Sequence, residues 1–377
     1  MSTHLEQQLD QLPTATRAIL DQHGFDKPRL LSLARRLRGE VSHSNFVDQP
    51  LEPCTASDIS HLPARDSEAG QKLEQIGLEA LRSGQCALVV LAGGMATRMG
   101  GVVKALVEAL PGQRFLDLRL NEAKALERRS GRRVPLWLMT SDSTDQAIRE
   151  ALGTRRDPDL LETFRQFLSV RLSPTGELYL DPKGLPSMHS PGHGDLPDAL
   201  RSSGLLHRFV ERGGRVVTIA NIDNLGATLD PLIIGFHLTS GKPVTCEVVD
   251  KVGSDKGGIP VRCGGRPMVL EEFRIPKSFD PASVRVFSTN TFHIDAKALL
   301  DLEMAWTYFT VEKKVDGQPV IQFERLINEL TSVLDTQYLH LPRAGKESRF
   351  LPVKDNQELE QRQGEITLVA RDRGMIE

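Results

Sequence analysis

Three continuous apolar runs constrain this chain more than any other feature: Ala87–Ala92 (ALVVLA), Val134–Thr140 (VPLWLMT) and Val216–Asn221 (VVTIAN). None of them alternates apolar with polar residues, which predicts strands buried on both faces rather than half-exposed ones. Helical patterns fall between them, at Asp117–Arg129, at 143–151, and on the apolar face Ala199, Leu206, Phe209 and Val210, closed by Gly213 and Gly214. Strands alternating with helices over more than 130 residues predict an α/β fold with a doubly wound, mostly parallel sheet. Ligands of such sheets bind beyond the carboxyl ends of the strands. Three segments leave those ends: Gly93–Lys104, Ser141–Thr144 and Asn221–Asp230.

The flanks read differently. Residues 1 to about 45 carry Leu, Ile and Ala at three- and four-residue spacing and are expected to be helical. Ser42–Ser67, rich in Pro, Asp and Ser, reads as a linker, and Glu68–Ser83 as a helix stopped by Gly84. The runs CEVVDKV, RPMVLEEF and VRVFSTNTF, with Gly-Gly turns between them, suggest a smaller antiparallel sheet appended to the first. The expected division is a helical segment and linker over 1–85, a core over 86–345 and a short C-terminal segment over 346–377.

Lys plus Arg number 47 against 50 Asp plus Glu, for a formal net charge of −3. That balance argues against a polybasic nucleic-acid coat or a membrane-surface protein. The longest apolar run is far shorter than the roughly 18 residues of a membrane span, and the polar start MSTHLEQQLDQLP has no apolar region of a secretory signal. Cys54, Cys86, Cys246 and Cys263 form no C-x-x-C pair and read as reduced thiols. A cytoplasmic location is the expectation.

Four runs offer chemistry. In LAGGMATRMGGVVK (Leu91–Lys104) a buried strand runs into paired glycines, a turn with Thr97 and Arg98, two more glycines and a lysine. Glycines let backbone N–H groups approach an anion or a flat base, and Arg or Lys neutralises phosphate. The run matches neither G-x-x-x-x-G-K-[ST] nor G-x-G-x-x-G, so an ordinary Gly-rich connection fits it equally. In SPGHGDLPDAL (Ser190–Leu200), His193 sits between glycines at the mouth of a helix, where an anion is favoured. Pro191 and Gly192 break any helix that would align His189 with His193, so a structural turn is a better reading than a metal pair. NIDNLGATLD (Asn221–Asp230) puts Asp223 at the end of the third strand, a hard oxygen donor suited to Mg²⁺, while Asp230 reads as a helix cap. SRFLPVKD (Ser348–Asp355) offers Lys354 after a short strand-like run.

These runs resemble the UTP–glucose-1-phosphate uridylyltransferase family, related to the UDP-N-acetylglucosamine pyrophosphorylases. PGHGD, NIDNLGATLD, KGG, FSTNTF and SRFLPVK occur in the family's order between about Leu51 and Leu359. The joins LEPCTASDIS and MTS look closer to the N-acetylglucosamine branch. The resemblance implies a Rossmann-like core of the nucleotide-diphospho-sugar transferase type. It further implies that Gly93, Gly94, Gln166, Gly192 and His193 contact the nucleotide, Gln166 at the uracil edge. Asn221, Gly258, Glu271 and Asn290 would face the hexose, Asp223 would hold Mg²⁺, and Arg98, Lys104 and Lys354 would meet phosphate.

The implied reaction converts UTP and glucose 1-phosphate into UDP-glucose and pyrophosphate by a single in-line displacement. The same chemistry on N-acetylglucosamine or galactose 1-phosphate, or a non-catalytic relative that only binds nucleotide sugars, stays open at this level. Two departures stand out. The family loop reads roughly G-G-x-G-T-[RS]-[LM]-G-x-x-x-P-K, whereas Ala96 replaces the third glycine here, and the stretch from Gly100 to Lys104 is one residue short and lacks the proline. A shortened loop would place Lys104 differently. Glucose-branch relatives continue into a C-terminal β-helical domain, so an oligomer built through such a domain is not expected.

Overall fold

A computed structural model describes residues 4–253, 255 and 257–377. Its centre is an eight-stranded sheet, labelled here in chain order: β1 (Ile59–His61), β2 (Cys86–Leu91), β3 (Leu136–Thr140), β4 (Leu161–Arg165), β5 (Val216–Asn221), β6 (Val244–Asp250), β7 (Val286–Asp295) and β8 (Thr336–His340). The spatial order is β1-β8-β6-β7-β5-β2-β3-β4. Among the described residues β7 alone runs against the other strands, antiparallel to both β5 and β6.

The apolar runs behave as their composition dictates. Along β2, Leu88 and Val90 enter one core while Ala87 and Val89 enter the other, and along β3 Leu136 and Leu138 are divided in the same way from Trp137 and Met139. Every residue of β2 and β3 is buried. A strand that must fill two cores favours apolar side chains at successive positions, which is why these runs do not alternate. The polar exception in these two strands, Thr140 at the end of β3, is buried with its hydroxyl donating to Asp145 Oδ1 at 2.7 Å. On one face the helices Glu68–Arg82 and Pro231–Ser240 cross very closely. A Cβ on Gly77 would stand 1.8 Å from the Pro231 carbonyl oxygen, and one on Gly235 would stand 1.9 Å from that of Leu73. Asp230 caps the second of these helices through Leu232 N–H, at 2.8 Å.

Several expectations are corrected. Ser42–Ser67 is more than a linker: Leu51–Pro53 pairs with Ile259–Cys263, and β1 forms an edge of the central sheet. Short strands with polar flanks have no periodic signature, so pairing with distant segments makes them. The face from Ala199 to Val210 is two helices, Leu196–Ser202 and Leu205–Glu211, broken where Gly204 takes φ 75°. The small appended sheet exists, but it is Leu51–Pro53, Ile259–Cys263 and Arg266–Leu270. CEVVDKV and VRVFSTNTF belong instead to β6 and β7 of the central sheet. Within the short C-terminal segment the helix Asn356–Asp372 sends Leu359, Ile366 and Ala370 into the same core as β2. The N-terminal helices His4–Asp10, Thr14–Gln22 and Lys27–Leu37 bury Leu5, Leu20, Leu30 and Leu33 against Leu168, Val170 and Ile321.

Candidate active site at the carboxyl edge of the sheet

After β2 the chain enters the glycine run as a small hairpin, Met95–Ala96 pairing with Val102–Val103, and returns so that Lys104 N–H donates to the Gly94 carbonyl at 3.1 Å. Gly100 and Gly101, with φ 87° and 73°, make the turn that an L side chain would resist. The shortened loop therefore closes on itself, and Lys104 is carried back toward the sheet. Its ammonium lies 2.6 Å from Asp223 Oδ2. Asp223 follows β5 and is largely buried, and the same oxygen accepts Val353 N–H at 3.2 Å. Lys104 and Asp223 thus meet as an ion pair despite the shortened loop. Arg98 is exposed on the hairpin turn, where no hydrogen bond or ion pair holds it among the described residues.

Val353, the residue before Lys354, is carried to Asp223 by a stitched strap, while the Lys354 N–H donates to Glu358 Oε2 at 2.7 Å. The Asn224 side chain behaves like a neighbouring strand, its Oδ1 accepting Leu351 N–H at 2.8 Å and its Nδ2 donating to the Arg349 carbonyl at 3.1 Å. The Lys354 side chain itself is exposed. Arg349 is buried and anchors the strap from below, with Nε donating to Glu247 Oε2 at 3.0 Å and Nη1 to Thr228 Oγ1 at 3.0 Å. His293 Nε2 lies 2.8 Å from Glu247 Oε1. Burial alone would raise the Glu247 carboxyl, but Arg349 and His293 outweigh it and hold the group below the ordinary carboxylate range.

Gln166 sits at the end of β4, its backbone N–H donating to the Thr140 carbonyl at 2.8 Å. A Cβ on Gly93 would fall 2.8 Å from Gln166 Nε2, so the absence of a side chain there lets the amide lie against the loop. Ser141 Oγ ties that loop to β3 by donating to the Gly93 carbonyl at 2.8 Å. Gly192 and His193 are joined to the same region through buried Asp195, whose Oδ2 accepts Phe167 N–H at 2.9 Å and whose Oδ1 accepts from Arg325 Nε at 2.5 Å. Gly192 has φ 104°, and a Cβ there would meet the Arg325 carbonyl oxygen at 2.8 Å. His193 Nδ1 accepts Ile327 N–H at 3.1 Å. Burial lowers this imidazole to about 4, and protonating Nδ1 would also break the bond it accepts, so His193 is neutral at pH 7. His189, lowered by burial to about 3, is neutral too.

The four residues expected at the hexose also converge. Continuing the β5–β7 register sets Asn290 opposite Asn221, and Asn290 Nδ2 donates to Asn221 Oδ1 at 3.1 Å. The pairing of β6 with β7 shifts between Cys246 and Val248, and in the bulge so formed Asn290 takes φ 58° with a buried Oδ1 that finds no partner. Gly258 abuts this strand, its carbonyl accepting Ser288 N–H at 2.8 Å, and a Cβ there would fall 2.8 Å from Asn328 Nδ2 and 3.3 Å from Glu271 Oε1. Glu271 accepts from Asn328 at 2.5 Å, and burial raises its carboxyl above the usual range. Lys256 of the KGG run lies outside the described residues.

Sequence reasoning missed the buried supports. Asn224, Asp195 and Arg349 stood inside the quoted runs, where a polar residue between site residues was the available signal. Arg119, Arg325 and Glu247 had none, because each is identified only by what surrounds it in space. No three or more His, Cys, Asp or Glu side chains cluster to hold a metal by themselves among the described residues.

Comparison with known proteins identifies the family and the fold. Residues 41–371 match the family of UTP–glucose-1-phosphate uridylyltransferases. The uridylyltransferase of Musa acuminata is 31% identical over 356 residues, spanning 89% of this chain and 73% of that protein, and that of Astragalus penduliflorus is 32% identical over 348 residues, spanning 87% and 71%. In fold the chain resembles the UDP-N-acetylglucosamine pyrophosphorylase of Trypanosoma brucei solved with an inhibitor, with a TM-score of 0.76 and 21% identity over 99% of this chain and 81% of that one. A UDP-glucose pyrophosphorylase variant of Leishmania major solved with UDP-glucose gives a TM-score of 0.73 and 23% identity over 92% and 78%. With a sequence match across most of its length and a sheet that assembles the family's motifs at one edge, the chain belongs to the UTP–glucose-1-phosphate uridylyltransferase family.

Proposed function

We propose that this chain transfers a uridylyl group from UTP to glucose 1-phosphate, releasing UDP-glucose and pyrophosphate. The observation that carries the reading is the meeting of Lys104, Asp223 and the Lys354 strap at one end of β5, with Gln166 against Gly93 beside it. A phosphate oxygen of the sugar 1-phosphate attacks the α-phosphorus. The bond from that phosphorus to the oxygen bridging the α and β phosphates breaks, and pyrophosphate leaves with the electron pair.

No covalent enzyme intermediate is required, so the chain's work is alignment and charge neutralisation. Gln166 both donates and accepts hydrogen bonds, as the uracil edge demands. Lys104, Arg98 and Lys354 supply positive charge for the triphosphate, and Asn221, Asn290, Glu271 and Gly258 line the hexose side. Asp223 fits Mg²⁺: both of its recorded bonds fall on Oδ2, and a single carboxylate completed by phosphate oxygens is an ordinary magnesium environment. Bound there, the ion would neutralise phosphate charge.

The test is pyrophosphate release from UTP with glucose, N-acetylglucosamine and galactose 1-phosphates in the presence of Mg²⁺. Preference for glucose 1-phosphate supports the reading. Preference for another sugar transfers the chemistry to that substrate, and no release with any sugar removes the enzymatic reading.

A further inference from the structure

Asp223 sits on the segment Asn221–Ala227, which leaves the sheet and turns back under it. Its turns satisfy part of the backbone, with Asn224 N–H donating to the Asn221 carbonyl at 3.2 Å and Ala227 N–H to that of Asn224 at 3.0 Å. The rest of the closure comes from the helix Phe115–Ser130. Arg119, 0% exposed, threads its guanidinium into the segment. Its Nη2 donates to the carbonyls of Asn221 at 2.8 Å and Asn224 at 2.7 Å, and its Nη1 donates to that of Ala227 at 2.9 Å. One planar fork therefore fixes three carbonyls that bracket Asp223, a geometry an ammonium cannot reproduce.

The charge is balanced by Glu122, also buried, whose Oε2 accepts from Nη1 at 2.8 Å. Yet Arg119 Nε and Glu122 Oε1 are buried with no partner. A buried ion pair left incomplete at both ends is poorly justified as a stabilising device. What it does accomplish is to hold the loop that presents the carboxylate.

We propose that Arg119 is a positioning residue for the metal site, holding Asp223 in place by its grip on the Asn221, Asn224 and Ala227 carbonyls. Arg119 is wholly buried, so it acts through the loop rather than on a ligand. The inference rests on the assignment of Mg²⁺ to Asp223. Residues that orient a metal ligand through hydrogen bonds typically change metal affinity roughly 10- to 100-fold when replaced.

The experiment titrates Mn²⁺ into the protein–UTP complex and into UTP alone, follows free Mn²⁺ by electron paramagnetic resonance and takes the difference as uptake by the protein site, with UTP affinity measured separately without metal. For Arg119→Lys, Mn²⁺ affinity is expected to fall about tenfold or more while metal-free UTP affinity changes less than about twofold. Should Arg119→Lys fail to fold, Arg119→Met combined with Glu122→Met removes the pair without stranding a charge, and the same split is expected. A folded variant of either kind that binds Mn²⁺ as the parent does overturns the positioning role alone. A parent protein that takes up no Mn²⁺ with UTP present overturns the metal assignment, and this inference with it.

Discussion

Asp223 and Lys104 are 119 residues apart in the chain and 2.6 Å apart in space. The charge of this largely buried carboxylate is offset by the facing ammonium, and a triphosphate offers the lysine a further anionic partner. Asp223→Asn keeps the shape and loses the charge. It is expected to lower kcat/KM for UTP by roughly 100-fold, and a loss under about tenfold in the pyrophosphate assay would remove the metal assignment. His193 contributes differently. Its imidazole titrates near 4 in the folded protein against about 6.5 when unfolded, so the unfolded chain binds the proton first as pH falls. Its contribution to stability is therefore present above pH 6.5 and is lost progressively toward pH 4. Thermal melts across that window should show a shallower pH dependence for His193→Asn than for the parent, and parallel slopes would refute the reading.

At the scale of elements, β7 and the strap Ser348–Lys354 decide where the site residues stand. The reversed direction of β7 brings its first half to the carboxyl edge of the sheet, and the bulge beside Glu247 turns Asn290 toward Asn221. The strap has no regular structure of its own and is held by Asn224, Asp223 and the Arg349–Glu247 pair. Removing one partner of a buried pair leaves the other uncompensated. Arg349→Met should accordingly cost about 3–5 kcal/mol in urea denaturation, with part of the loss recovered when Glu247→Gln is added. Equal stability of the single and double variants would show that the pair does not anchor the strap.

For the whole molecule, the C-terminal helix closes the core that β2 opens. Ile366 is 0% exposed and packs in the cluster that includes Leu88 and Phe115. Ile366→Ala is expected to destabilise the entire cooperative unit by about 2–5 kcal/mol. A change below 1 kcal/mol in the same denaturation experiment would instead mark the helix as a separable appendage. The N-terminal helices rest on a cluster of their own with Leu168, Leu172 and Phe323.

The sequence by itself determined the buried strands β2, β3 and β5, because a strand between two cores favours apolar residues at successive positions. It also placed the glycine turns and the Asp230 cap, whose chemistry is local. The glycine-rich run, PGHGD and NIDNLGATLD also put forward Lys104, His193 and Asp223 by their composition, whereas Gln166 came only through the family resemblance. Tertiary structure alone decided the rest. β1 and the Leu51–Pro53 strand exist through pairing with distant partners, β6 and β7 joined the central sheet through register, and Gly204 divided a continuous apolar face into two helices. Arg119, Glu247 and Arg325 became identifiable only once folding had buried them. A charge in a sequence reads as solvated surface, and only its surroundings show that it is a buried brace.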